Sequence, residues 1–192
     1  MPHPQQDIRW EWDVDSVDPP EHCVICAYKE IIDRLYQNGE ARMIASQRSA
    51  MGVHPIYEIV SFGKRLAIFH PGLGAPMAGM LLEGVIALGC RKFIACGKAW
   101  ILDERLKANT IFVPSVAIRD EGTSYHYLPP GREVNASRKG VFAIKQALGN
   151  NHIEYTICKT WTTDAPFRLT QAKINLRKSE NCLTVETETS AY

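Results

Sequence analysis

A strand–loop–helix–strand succession between residues 64 and 97 constrains the fold of this chain more than any other stretch. The segment KRLAIFH is typical of a β-strand, HPGLGAP is a glycine loop, and MAGMLLEGVIALG is typical of a helix whose first turn accommodates Pro76. RKFIACG is then a continuous apolar strand of the kind that is buried on both faces of a parallel sheet. Together these four pieces predict an α/β unit.

The same alternation extends in both directions along the chain. CVICA precedes the helical pattern KEIIDRLYQ, and IYEIVSF leads into KRLAIFH through a two-residue hairpin turn at Gly63-Lys64. Further strands are predicted in TIFVPSVAI, HIEYTICKTW and CLTVE, with helices near residues 137–148 and 170–179 between them. We therefore predict an α/β fold that is built on a largely parallel or mixed sheet.

Composition narrows the classes of partner. A formal net charge of +1 provides no general field that would attract nucleic acid or an anionic membrane, so we predict neither partner. No apolar run approaches the roughly 20 residues of a spanning helix, and residues 1–20 are polar, acidic and proline-rich, unlike a signal peptide. We expect a cytoplasmic protein with an irregular arm over residues 1–20, which carries Trp10 and Trp12, and a single domain over residues 21–192.

The six cysteines raise the question of a metal or redox site. Cys23 and Cys26 have C-x-x-C spacing, but no second such pair and no H-x-x-x-H follows that would complete four zinc ligands. The pair also lies within an apolar run, so we interpret both as buried strand residues. The other cysteines stand singly in apolar segments, where a free cysteine behaves as a small hydrophobic residue. We predict no metal site and no cofactor.

The loop with Gly72 and Gly74 is a candidate anion site. It follows a strand and precedes a helix, and in α/β sheets such loops offer backbone N–H groups to anions. It lacks the spacing of G-x-G-x-x-G and the G-K-[ST] of a P-loop, however. A tight turn that serves helix packing is the alternative.

Two further strands are also followed by polar clusters. The loop RDEGTSYHYLPP is rich in charged and aromatic residues, which fits either a functional loop or a subunit contact. The cluster Thr162-Thr163-Asp164 fits either a ligand contact or an N-cap for the next turn. The residues alone leave both pairs of alternatives open.

Four stretches between about Ile56 and Tyr192 have a recognisable order: HPGLGAPMAGMLLEGVIALGCRKFIACG, VPSVAIRDEGTSYHYLPP, KTWTTDAPFR and VETETSAY. Together they resemble the nucleoside phosphorylase family, which includes uridine phosphorylase and hexameric purine nucleoside phosphorylase. The resemblance implies a three-layer α/β/α fold around a twisted mixed, largely parallel central sheet. It also implies assembly as a homodimer or a higher homo-oligomer.

The resemblance also implies roles for individual residues. The family cleaves the N-glycosidic bond of a nucleoside by attack of phosphate on the sugar. Glu186 and Glu188 match the two glutamates of the family's V-E-M-E motif and are the expected catalytic residues, with Glu188 on the ribose hydroxyls. Thr187 replaces the methionine that packs against the sugar. The segment that walls the base pocket is matched by Thr162, Thr163, Asp164 and Phe167.

The phosphate site is where this sequence departs from the family. The first strand lacks the usual G-D-P-x-R loop, and where the central strand normally reads R-x-G-T-x-G this chain reads A-C-G-K-A-W. Gly97 is retained, and Trp100 places a bulky ring where the family has glycine. Lys98 either supplies positive charge for phosphate or simply reaches solvent. Arg48, or alternatively Arg42, is a candidate to reach the phosphate site of a neighbouring subunit.

Beyond V-E-x-E the family continues with a helix, a strand whose aspartate protonates the leaving base, and a closing helix. This sequence contains none of them, so we expect a divergent, C-terminally short member that lacks the last family elements. The expected ligand is a nucleoside or a related N-ribosyl compound, with inorganic phosphate as a candidate co-substrate. An enzyme that cleaves the glycosidic bond by phosphorolysis or hydrolysis is favoured. A non-catalytic member that acts by binding or oligomerisation, and an enzyme repurposed for different chemistry, are the alternatives.

Overall fold

The structure is a computed structural model that describes residues 18–103, 106–107 and 109–192. The predicted arm over residues 1–20 falls mostly outside these ranges, and so do both of its tryptophans. No helix in the described part of the chain combines the length and the apolar character that crossing a membrane requires.

The described residues divide into two compact units. The first comprises the chain up to Gly72 together with Met77–Gly97, and the second comprises Leu73–Pro76 and Lys98–Tyr192. Each unit contains one five-stranded sheet.

The sheet of the first unit is mixed. In spatial order its strands are β2 (Ala41–Ser49), β3 (Gly52–Ser61), β4 (Lys64–Phe69), β1 (His22–Cys26) and β5 (Lys92–Cys96). The first three are antiparallel neighbours, whereas β1 is parallel to both β4 and β5. The β3–β4 turn lies one residue earlier than predicted, at Phe62-Gly63, where both φ angles are positive (50° and 72°) as a type I′ hairpin requires.

Helices cover both faces of this sheet, so the three-layer arrangement is present within the first unit. On one face, Leu81 and Val85 of α2 (Ala75–Leu88) pack with Ile56 of β3. On the other, Ile32 of α1 (Lys29–Gln37) packs with Tyr57, the next residue of that strand. Neighbouring residues of a strand point to opposite faces, which is why one strand can serve two cores.

The same alternation settles the interpretation of the C-x-x-C pair. Cys23 and Cys26 are both buried in β1, but they belong to the cores on opposite faces of the sheet. The two cysteines are three positions apart on an extended strand, which places their side chains on opposite sides of the sheet, so the two thiols cannot share a metal ion. They are structural, as predicted. Of the remaining cysteines, Cys96 differs from the expectation because it is exposed.

Two strands of the first unit differ from the sequence-based expectation. The prediction that RKFIACG is buried on both faces is wrong for β5, which forms the edge of its sheet and leaves Ile94 45% exposed. An apolar run by itself does not distinguish a central strand from an edge strand. The sequence pattern does not predict β2, because the buried positions of this strand include the polar residues Ser46 and Gln47. The side-chain amide of Gln47 donates to the carbonyl of Leu81 at 2.8 Å.

The sheet of the second unit is also mixed. In spatial order its strands are β6 (Trp100–Ile101), β10 (Cys182–Glu186), β9 (Tyr155–Thr163), β7 (Ile111–Asp120) and β8 (Glu133–Asn135). β9 is parallel to both of its neighbours, while the two edge strands are antiparallel. The α/β class with mixed sheets is confirmed. Four of the eight strand pairings in the described chain are parallel, fewer than the expectation of a largely parallel sheet.

Strands β9 and β10 have two buried faces of opposite character. On the apolar face, Trp161 and Val185 are completely buried and pack with Ile174 of α4 (Gln171–Ser179). The opposite face of the same strands is polar and equally buried, and it ends at the carboxyl end of β10; its residues are Thr160, Thr162, Thr184 and Glu186. The remaining helix, α3 (Arg138–Asn150), has no buried side chain.

Candidate functional site

The polar face of the second unit ends in Glu186, the last residue of β10. Its side chain is buried, and one carboxylate oxygen, Oε1, accepts the hydroxyl of Thr162 at 2.6 Å and that of Thr160 at 3.4 Å. The other, Oε2, accepts the backbone N–H groups of Glu188 at 2.7 Å and Thr189 at 2.6 Å. Both oxygens are therefore occupied by donors of the protein itself.

The donors to Glu186 described above are all neutral hydroxyl and backbone N–H groups. Burial raises the pKa of the Glu186 carboxyl, and the hydrogen bonds from Thr162, Thr189 and Glu188 offset that rise only in part. Its contacts make Glu186 the anchor of the turn that follows the strand.

Glu188 lies in that turn and has different contacts. Its side chain is half-buried, and its Oε1 accepts the backbone N–H of Gly74 at 2.7 Å and the hydroxyl of Thr187. Within the part of the chain that the structure describes, Oε2 has no hydrogen-bond partner. One oxygen of an oriented carboxylate is thus available to a ligand.

The glycine loop supplies the N–H group that orients Glu188. Gly72 and Gly74 have φ angles of 79° and 84°, in the left-handed region that favours glycine. A Cβ at Gly72 would lie 2.3 Å from Cγ of Met77, so the chain can turn here only without a side chain. The Gly72 N–H donates to Nδ1 of His70 at 3.0 Å. The Gly74 N–H, at the N-terminus of α2, thus donates to a carboxylate of the same chain.

Arg119 organises the polar-aromatic loop that follows β7. Its guanidinium is buried; Nε donates to the hydroxyl of Ser124 at 2.8 Å and Nη1 donates to the carbonyl of Pro129 at 2.8 Å. The same group lies 4.1 Å from the centre of the Tyr125 ring, within cation–π range. The loop is therefore wrapped around a buried cation, while Tyr125 remains partly exposed.

Glu121 connects this loop to the turn that carries Glu188. The buried carboxylate accepts both the backbone N–H of Ser124, at 2.9 Å, and the hydroxyl of that serine. Its Oε1 also accepts the hydroxyl of Ser190 at 3.0 Å. The backbone N–H of Ser190 donates in turn to the hydroxyl of Thr162 at 3.0 Å. A continuous chain of hydrogen bonds joins the loop to the end of β10.

Asp120, the neighbouring residue of the loop, belongs to a separate ion-pair network. Its Oδ2 accepts Nε1 of Trp161 at 2.9 Å and Nη2 of Arg177 at 3.0 Å, and Arg177 also donates to Glu180 at 2.8 Å. Burial alone would lower the pKa of Arg177, but its hydrogen bonds to the two carboxylates raise it overall. This network joins β7, β9 and α4 on the apolar side of the sheet, which makes it a structural clamp.

The four residues of the predicted base wall have different surroundings. The hydroxyl of Thr162 serves Glu186, as described above. Thr163 is buried, and its hydroxyl accepts the backbone N–H of Ala165 at 3.2 Å. The carboxylate of Asp164 accepts the backbone N–H of Gly122 at 2.9 Å, which ties two loops together. Phe167, in contrast, is 99% exposed and available for an external contact.

The residues of the divergent central segment lie at different places. In the first unit, the carbonyl of Gly97 accepts the hydroxyl of Tyr28 at 3.1 Å. Lys98 is exposed in the second unit. Trp100 is 55% exposed and lies directly across from Val185 in the β6–β10 pair. Directly opposed residues share a face of the sheet, so Trp100 is on the apolar side rather than on the polar face.

The two arginines that are candidates for a neighbouring subunit both lie on β2. Arg48 is exposed. Arg42 donates to the carboxylate of Glu58 at 3.1 Å, and Arg65 binds that carboxylate as well. Arg42 thus has an acidic partner within its own unit.

Sequence reasoning missed Glu121 and Ser190, which join the loop to the turn. The signal in the sequence is weak: Glu121 is one of several charged residues directly after an apolar strand, and Ser190 belongs to no pattern of its own. Among the residues that the structure describes, no three His, Cys, Asp or Glu side chains are grouped so that they could hold a metal ion.

Comparison with known proteins identifies similar sequences. The model of a family described as the phosphorylase superfamily matches residues 21–192. The chain is 26% identical over 137 residues to a uridine phosphorylase of Thermococcus kodakarensis, and 26% identical over 115 residues to a guanosine phosphorylase of Halorubrum lacusprofundi. These matches cover 71% and 59% of this chain but only 48% and 46% of the two relatives. The chain therefore spans about half the length of the relatives that it matches.

Solved structures share the fold. A purine nucleoside phosphorylase from Toxoplasma gondii superposes with a TM-score of 0.79 at 19% identity, over 91% of this chain and 70% of that one. A uridine phosphorylase from Vibrio fischeri superposes with a TM-score of 0.77 at 23% identity, over 93% of this chain and 74% of that one. At these identities the similarity concerns the fold alone.

Proposed function

The chain belongs to the phosphorylase superfamily, and on that premise we propose that it binds the ribosyl group of a nucleoside or a related N-ribosyl compound through Glu188. The proposal includes cleavage of the N-glycosidic bond, with phosphate or water as the nucleophile. Relatives named as nucleoside phosphorylases support the class of substrate.

The observation that carries the proposal is the contrast between two glutamates that are two residues apart. Glu186 has both oxygens occupied by four donors of the protein, so it has no capacity left for a ligand. Glu188 is half-buried and uses only Oε1 within the described chain. An ionised carboxylate only accepts hydrogen bonds, and the hydroxyls of a ribose are donors. Glu186 therefore holds the turn, and Glu188 meets the sugar.

The fixed position of Glu188 suits the chemistry of glycosidic cleavage. Positive charge develops on the sugar ring as the bond to the base breaks, and a nearby carboxylate stabilises that charge. The Gly74 N–H and the Thr187 hydroxyl already hold Oε1. Because the carboxylate is oriented before the sugar arrives, little conformational freedom remains to be lost on binding.

The Gly74 contact bears on the choice of nucleophile. A backbone N–H at a helix N-terminus is a good donor to phosphate, but this one is engaged by Glu188 at 2.7 Å. A phosphate at the same N–H would meet the negative charge of that carboxylate. This contact favours water as the nucleophile, with the exposed Lys98 as the candidate cation if phosphate is used. It equally supports a second candidate function, a protein that binds ribosyl compounds without cleaving them.

Assembly as a homodimer or a larger homo-oligomer is part of the proposal. Val60 and Phe62, at the β3–β4 hairpin, are large apolar side chains with high exposure. Exposed apolar surface of this kind is typical of a protein interface. Sedimentation equilibrium tests this part: we expect a dimer or a larger species, and a monomer at every concentration would contradict it.

Incubation of the purified protein with purine and pyrimidine ribonucleosides, with and without phosphate, tests the reaction. Release of free base only with phosphate supports phosphorolysis, and release without phosphate supports hydrolysis. Binding without release supports the non-catalytic candidate. The proposal would be contradicted if the protein neither bound any ribonucleoside nor released its base. Glu154→Gln is the matched control for Glu188→Gln, because Glu154 is exposed in the same unit. We expect Glu154→Gln to behave as the wild type.

A further inference from the structure

We propose that Glu121 and Ser190 are positioning residues that fix Glu188 for the sugar, a role that rests on the proposed function of this site. Both side chains are buried, and they act through the backbone of the turn rather than by contact with a ligand. In consequence the loop that begins at Arg119 and the turn that carries Glu188 form one hydrogen-bonded assembly.

The turn that carries Glu188 is held by two sets of hydrogen bonds, called ties here. The first is made by Glu186, whose Oε2 accepts the N–H groups of Glu188 and Thr189. The second is made by Ser190, which donates its N–H to Thr162 and its hydroxyl to Glu121, both at 3.0 Å. The first tie holds the backbone at Glu188 and Thr189 and the second holds it at Ser190, so the turn cannot change its conformation unless one of these hydrogen bonds breaks.

In the second tie, the Ser190 hydroxyl can hold the turn only if its acceptor, Glu121, is itself held in place. Ser124 donates both its backbone N–H and its hydroxyl to the carboxylate, and Nε of Arg119 donates to the same hydroxyl oxygen at 2.8 Å. All of these groups are buried. Hydrogen bonds are stronger in such surroundings, and the loss of one leaves a buried group without a partner.

The Ser190 hydroxyl is the link that separates a positioning role from a general structural one. Its removal leaves both Ser124 contacts to Glu121 in place, so the loop keeps its anchor. It also leaves the N–H of Ser190 on Thr162. The second tie then keeps one of its two hydrogen bonds, and the fold is conserved. Recognition of sugar hydroxyls should suffer selectively, because only they depend on the direction of the Glu188 carboxylate.

Ser190→Ala is the decisive variant, with Ser190→Thr as the conservative replacement that retains the hydroxyl. Ser179→Ala is the matched control, because Ser179 is exposed in the same unit and its hydroxyl donates only to the local carbonyl of Leu176. Glu121→Gln tests the other end of the tie. Amide hydrogen exchange is measured at residues 188–190, and calorimetry compares adenosine and uridine with their 2′,3′-dideoxy counterparts.

We expect Ser190→Ala to accelerate exchange at residues 188–190 and to lower the ratio of ribonucleoside to dideoxynucleoside affinity, each by roughly five- to tenfold. Ser190→Thr should restore both, and Ser179→Ala should change neither. Unchanged exchange in Ser190→Ala would overturn the positioning role, and so would an equal loss of affinity for the two kinds of nucleoside. A wild-type protein that binds neither kind would contradict the proposed function alone, because the exchange rates still decide whether the tie holds the turn.

Discussion

The two faces of strands β9 and β10 are equally buried and chemically opposite. On one face Trp161 and Val185 are completely inaccessible, and on the other so is Thr162. The apolar face is stabilised by the removal of apolar surface from water, which has no preferred direction. The polar face is stable only if each donor meets its acceptor. This requirement for direction is what lets the polar face hold two glutamates in defined and different orientations.

The largest effect is expected on the apolar face. Trp161→Ala removes a fully buried ring from the core of the second unit, and we expect it to lower the free energy of unfolding by about 3–5 kcal/mol. Denaturant titration measures this. Ligand affinity per folded molecule should change little, since the ring faces away from the glutamates. A loss below about 1 kcal/mol would mean that this face is not the core that the packing indicates.

On the polar face, Thr162→Val should lower the free energy of unfolding less than Trp161→Ala does, and it should lower ligand affinity more. The variant keeps the shape but leaves the Ser190 N–H without its acceptor and Glu186 without its 2.6 Å donor, a cost of about 1–3 kcal/mol. Affinity for ribonucleosides should fall as well, because both ties of the turn involve this hydroxyl. Thr160→Val is the matched control, since that hydroxyl is 3.4 Å from Glu186. If the two variants lowered affinity equally, the specific role of the Thr162 hydroxyl in holding the turn would be contradicted.

The smallest effect is a dependence of stability on pH. Burial raises the pKa of Glu186, so the carboxyl of Glu186 binds a proton more tightly in the folded protein than in the unfolded chain. The stability gained in this way is complete below the unfolded value of about 4.3 and is lost as the pH rises through the folded value. The difference in unfolding free energy between the wild type and Glu186→Gln should therefore decrease as the pH rises over that window, by at most about 1.4 kcal/mol per pH unit. A difference that grows with pH would show that the pKa is lowered instead.

The strand pattern in the sequence predicts the elements better than it predicts their surroundings. Alternation in KTWTT and CLTVE identifies β9 and β10, and Trp161 and Val185 are core residues as such a pattern implies. The same pattern would send the intervening threonines to solvent, yet they are completely buried. Alternation reports which residues share a face, not what covers that face.

The hydrogen bonds of the site cannot be predicted from local sequence patterns, because the residues that they join are far apart along the chain. Glu188 meets Gly74 across 114 residues, and Glu121 meets Ser190 across 69. The family resemblance singled out Glu188 and Glu186 as a pair with related roles. Only the directions of their carboxylates, which depend on those distant partners, divide the pair into an anchor and a ligand-binding group.

Calorimetric titration of the wild type and of Glu188→Gln, each with uridine or adenosine and with the 2′,3′-dideoxy counterpart, tests the central claim most directly. The wild type should bind the ribonucleoside more tightly than the dideoxy compound by roughly tenfold or more, because hydrogen bonds to a charged group contribute about 1.5–3 kcal/mol. In Glu188→Gln most of that difference should disappear, while Glu154→Gln should retain it. Equal binding of the two compounds by the wild type, or an unchanged difference in Glu188→Gln, would contradict the assignment of Glu188 to the sugar.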